Sequence, residues 1–202
     1  MKKFAGLIGV LFMFPLLFTA CPVAECEEVI VEKHLLPDSI LALLPFREGD
    51  VLTYIHSGGK SIKYSVGIDS TIEIQSDFMH GKCYEFHYQR FVVSLTPNYP
   101  VLHMHLAITN FYEHIFAIVS AQSYRASVSL SGEQNPDVSF LRSIELNGIT
   151  YRNVFRARML APSMFIPQPP PGTIHPNWVY FNVENGILRI VMSNNETFTL
   201  VP

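Results

Sequence analysis

From Val51 onward, apolar and polar residues alternate in short runs separated by reversals rich in glycine, asparagine or proline, and no stretch there keeps a helical period. A period of two puts successive side chains on opposite faces of an extended chain. Many short strands of this kind bury their apolar faces only by packing two sheets together or by closing one sheet on itself. The expected fold is therefore all-β, an antiparallel β-sandwich or partly open barrel of about ten short strands. Alternation also leaves one face of much of the sheet to solvent.

In chain order, Pro37-Asp38-Ser39 ahead of Ile40, Leu41, Leu43 and Leu44 offers a cap and one short N-terminal helical turn, which Pro45 ends. Val51 to His56 and Ser61 to Ile68 form a hairpin through Ser57-Gly58-Gly59-Lys60. In Cys83 to Val93, the face of Tyr84, Phe86, Tyr88, Arg90 and Val92 is expected to be buried, with Cys83, Glu85, His87, Gln89 and Phe91 opposite. The next strand, Val101 to Thr109, sets Leu102, Met104, Leu106 and Ile108 against His103 and His105. Strands are expected at Tyr112 to Ser120, Ser123 to Leu130, Ser139 to Leu146 and Ile149 to Phe155, the last two joined by Asn147-Gly148, the strongest hairpin signal present. Trp178 to Asn182, Gly186 to Met192 and Thr197 to Val201 close the chain as a meander. Before them, residues 161–177 hold six of the 14 prolines and make a long loop. Long loops in compact domains are functional or disordered. Phe165 in the loop, with Trp178 and Tyr180 beyond it, is a candidate binding surface.

The N-terminus reads as an export signal. Met1-Lys2-Lys3 is basic, Phe4 to Phe18 is apolar and small residues precede Cys21. The run is shorter than the roughly 20 residues of a membrane span and contains Pro15. Phe18-Thr19-Ala20-Cys21 resembles the lipobox of bacterial lipoproteins, with Phe18 where that family most often has leucine. The resemblance implies that Cys21 is acylated and becomes the first residue after cleavage, anchoring the chain to a bacterial membrane in the cell envelope, with the outer membrane the expected destination. An ordinary signal cut near Ala20, or an uncleaved anchor, are the other readings. Leu44 to Leu52, Asn147 to Phe155 and Val179 to Ile190 are similar to segments of small cell-envelope lipoproteins without assigned activity, and support a fold more than a chemistry.

The expected organisation is a signal over 1–20, an acidic tether over 21–35 carrying Glu25, Glu27, Glu28 and Glu32, and a single β-rich domain over 36–202. Acidic residues close behind the cysteine resemble signals that send some lipoproteins to the cell surface; a solvated linker is the other reading. Removing the first 20 of 202 residues leaves 182, ample for a core. It also removes Lys2 and Lys3, so 12 basic side chains face 17 acidic ones, a net of −5. That balance, with no basic cluster, argues against nucleic acid.

With Cys21 acylated, Cys26 and Cys83 can form a disulfide in an oxidising compartment, or remain as thiols. His103 and His105 share a strand face and are weak metal-ligand candidates. If the chain reverses around Asn98, His105 sits opposite Phe91 and His87 lies four residues on, about 13 Å away and too far to share an ion. No Gly-x-Ser-x-Gly elbow is present, and Ser57-Gly58-Gly59-Lys60 joins strands rather than opening a helix onto phosphate. No catalytic residue and no cofactor is expected. The favoured reading is a non-catalytic β-domain, tethered to membrane by lipid, that binds a protein or glycan partner or serves as an accessory subunit. Its alternatives are carriage of an apolar ligand, which requires a continuous apolar cavity, and a histidine-dependent metal hydrolase.

Overall fold

Alternation is realised in more strands than expected, and two of them are far longer. The computed structural model describes residues 28–79, 82–132, 135–161, 170 and 172–201. Its strands are β1 (Val29–His34), β2 (Val51–His56), β3 (Ser61–Met79), β4 (Lys82–Pro97), β5 (Met104–Phe111), β6 (His114–Ala121), β7 (Tyr124–Ser129), β8 (Val138–Leu146), β9 (Ile149–Arg158), β10 (Pro176–Asn182), β11 (Gly186–Met192) and β12 (Thr197–Val201), with one helical turn, α1 (Asp38–Leu41). The sheet order is β7-β6-β5-β4-β3-β2-β12-β11-β10-β9-β8, with β1 added on β4. All neighbours on this path are antiparallel, so the fold is all-β as expected.

The sheet curls into a nearly closed barrel. Arg125 of β7 and Leu160, just beyond β9, exchange both backbone hydrogen bonds at 3.1 and 2.9 Å, while β8 continues past this seam. Inside, Tyr54, Tyr64, Val66, Val93, Leu95, Met104, Leu106, Val119, Phe181 and Ile190 form one buried cluster drawn from strands all round the barrel. The Tyr54 hydroxyl donates to the Ile187 carbonyl at 2.6 Å, whereas the buried Tyr64 hydroxyl has no hydrogen-bond partner among the described residues.

Hairpin chemistry sets several boundaries where the sequence puts them. β2, β11 and β12 have the expected limits. Asn147 and Gly148 take φ of 52° and 79°, the left-handed pair a two-residue hairpin needs. α1 keeps its expected place but not its cap: Pro37 stands at the N-cap without a side-chain bond, and its carbonyl accepts from Ile40 N and Leu41 N.

Three expectations are corrected. The tether over 21–35 is not all linker, since β1 pairs in parallel with β4 from Val29↔Cys83 to His34↔Tyr88. β5 covers β4 only from Arg90 to Leu95, so the preceding edge of β4 is open, and Val29-Ile30-Val31 has the β-branched side chains to fill it. The buried face of β4 also changes along its length. Phe86 and Tyr88 are buried on one face, whereas Val93 and Leu95 are buried on the other, where they enter the barrel core. Finally, the β4–β5 turn is longer than expected, because Asn98 is bound to β3: its N–H donates to Lys63 O at 2.9 Å and its Oδ1 accepts from Lys63 N at 3.2 Å. His105 therefore pairs with Ser94 rather than Phe91. A shift by an odd number of residues reverses the face, so His105 and His87 lie on opposite sides of the sheet.

Candidate functional site

Alternation along β10 sends Val179 and Phe181 into the core and leaves Trp178 and Tyr180 half-buried, with Tyr180 packed against the core cluster. β9 sets Arg158 opposite Trp178 and Arg156 opposite Tyr180, and β11 brings Arg189 beside Tyr180 from the other side. The Arg156 guanidinium lies 4.0 Å over the Trp178 ring and 6.0 Å from that of Tyr180. Arg189 Nε donates to Thr199 Oγ1 at 3.0 Å, and Arg158 lies 3.8 Å from Asp137. Arg156 Nε has no hydrogen-bond partner among the described residues.

This arrangement is an aromatic wall faced by planar cations. Cation–π contact holds Arg156 over the indole, and a guanidinium held this way presents a fork of donors suited to carboxylates or sugar hydroxyls. Trp178 and Tyr180 were candidates from the sequence; Arg156 and Arg158 were not, because the strand was expected to end at Phe155. Continuing its period by three residues places both arginines outward, but which strand would face them was not readable. Phe165 lies outside the described residues.

Other candidates separate. His103 and His105 are exposed, and His105 Nδ1 lies 3.1 Å from Ser94 Oγ. Partial desolvation, then the charge of His103, lowers the His105 pKa below the usual imidazole range. His87 pairs instead with Glu85 at 3.3 Å. Among the described residues no group of three or more His, Cys, Asp or Glu side chains is placed to hold a metal ion.

The barrel interior is occupied by large buried side chains, Tyr54, Tyr64, Met104 and Phe181 among them. A cavity of about 740 Å³ opens instead at the seam, lined by Leu130, Pro136, Val138, Phe140 and Phe155 among others. Residues 172–175, at the end of the proline-rich loop, pack on the barrel: the His175 ring stacks on Tyr124 at 4.9 Å, and His175 N donates to Ser193 Oγ.

A second aromatic group holds β1 in place. His34 stacks on Tyr88 at 5.2 Å, Tyr88 on Phe111 at 4.7 Å, and Tyr112 meets Phe86 edge-on at 5.3 Å. Burial, with the neighbouring Tyr112, raises the Tyr88 pKa. Cys83, beside β1, is disulfide-bonded; the other cysteines, Cys21 and Cys26, lie outside the described residues.

Comparison of the chain with protein-family models, with curated proteins and with solved structures finds no match.

Proposed function

We propose that the chain is a lipoprotein of the bacterial cell envelope, anchored through acylated Cys21, whose β-domain binds a protein or glycan partner without catalysing a reaction or serves as an accessory subunit. The signal ending in Phe18-Thr19-Ala20-Cys21 carries this reading. The disulfide at Cys83 supports it, because such bonds persist in oxidising compartments outside the cytosol. The binding face is the wall of Trp178, Tyr180 and Arg156, where aromatic area and fixed donors converge. A filled barrel interior weighs against carriage of an apolar ligand, and the separation of His103 and His105 from His87 weighs against a metal hydrolase.

Cys21→Ala tests the anchor. The variant should accumulate as an unprocessed, unacylated precursor, seen as a slower band on electrophoresis that incorporates no labelled fatty acid. Normal maturation and membrane retention by the same route would remove the lipoprotein reading.

A further inference from the structure

β3, β4 and β1 continue past the barrel as a three-stranded ribbon, one face of which is uncovered and carries five exposed apolar side chains among Lys33, Ser76, Glu85, His87 and Gln89. Pairing aligns Phe78 with Cys83 and Val29, and Ile74 with His87 and Lys33. Strand parity then gathers Ile72, Ile74, Phe78, Val29 and Val31 on one side. Each of these five is 47% to 60% exposed. Their opposite face is covered instead by the stacked rings of His34, Phe86, Tyr88 and Tyr112, and it also carries Glu32, Glu73 and Asp77. An exposed apolar patch with polar surroundings marks a contact surface.

What covers it follows from where the chain enters β1, given the acylation of Cys21 on which this inference rests. The sequence has three cysteines and Cys83 is disulfide-bonded, so acylated Cys21 leaves Cys26 as the partner. Five residues from Cys21 to Cys26 span at most about 17 Å, and a disulfide adds about 6 Å between Cα atoms. The acyl chains therefore enter the bilayer within roughly 23 Å of Cys83, which sits in the row between Phe78 and Val29.

We propose that this ribbon face rests on the lipid bilayer, with Phe78, Ile74, Ile72, Val29 and Val31 in the interface, so that the anchor and the ribbon together fix the orientation of the barrel. The carboxylates of Glu32, Glu73 and Asp77 then point away from the lipid, and Glu85 on the docking side is paired with His87. Interfacial contact of this size is weak alone, and the covalent anchor makes it effective by holding the face at high local concentration.

Tryptophan depth reads this directly, because the chain has a single native tryptophan, Trp178. The full mature lipoprotein is reconstituted into phosphatidylcholine vesicles with brominated acyl chains, as wild type and as Phe78→Trp and Ile74→Trp, each combined with Trp178→Phe. Quenching at positions 78 and 74 should be at least threefold stronger than that of Trp178, with blue-shifted emission. Co-flotation with vesicles but quenching no stronger than that of Trp178 would overturn the docking and leave the anchor intact. A blue shift that rises with protein concentration without bromolipid quenching would identify a second copy as the occupant and also overturn it. Failure to co-float would instead overturn the acylation itself.

Discussion

Replacing Gly186 with alanine tests how the β10–β11 hairpin locks to the start of the domain. Gly186 has φ of 73° and pairs with Asn182 across Val183-Glu184-Asn185, so the hairpin needs a left-handed residue at that position. A β-carbon in that region costs about 1–2 kcal/mol. It would also overlap the ring of Phe46, whose Cζ occupies the space the methyl needs, and forced repacking adds about 1–3 kcal/mol. The total, about 2–5 kcal/mol, is a large part of an ordinary domain's stability of about 5–15 kcal/mol. It lowers Tm by on the order of 10 °C for a chain of this size. Urea unfolding followed by Trp178 fluorescence measures it, with Gly148→Ala as control: φ there is 79°, but nothing lies within 4 Å of the added carbon, so only the backbone cost of about 1–2 kcal/mol remains. In Phe46→Ala/Gly186→Ala the repacking cost disappears, and the double variant is less destabilised than the sum of the singles. Equal costs for Gly186→Ala and Gly148→Ala, or additivity in the double variant, would refute the steric account.

Cys83→Ser should lower stability by about 2–4 kcal/mol and speed amide exchange across Val29–His34, since β1 then keeps only its strand pairing and its rings; unchanged exchange in β1 would show that the bond does not clasp it. Burial pushes the Tyr54, Tyr64 and Tyr151 pKa values up. Because the unfolded chain releases those protons near pH 10, their contribution is fully present below that pH and is lost as pH rises above it. Tyrosinate absorbance at 295 nm should therefore show Tyr54 and Tyr64 ionising only as the protein unfolds, and titration of all nine tyrosines in a folded protein would contradict their burial. Arg156→Ala should redden Trp178 emission and weaken capture of the partner at least tenfold while leaving Tm within about 3 °C, as expected for a largely surface substitution; unchanged capture would move the binding face elsewhere.

Much of the fold was legible because hairpins are local. Ser57-Gly58-Gly59-Lys60 and Asn147-Gly148 name their own turns, and the residues on either side pair as their alternation requires. The site was legible only in part, since Trp178 and Tyr180 announce aromatic area while the cation over them comes from the neighbouring β9.

By itself the sequence determined the strand period, the reversals and the short helical turn, all of which depend on neighbours in the chain. Only the tertiary structure decided that the sheet closes through Arg125 and Leu160, and that Val29–His34 is a strand rather than a tether. It also turned His105 away from His87, because Asn98 is held by Lys63 from a strand 35 residues earlier. Local alternation specifies that a residue faces in or out of its own strand; what stands opposite it depends on register, and register is fixed by contacts between segments distant in sequence.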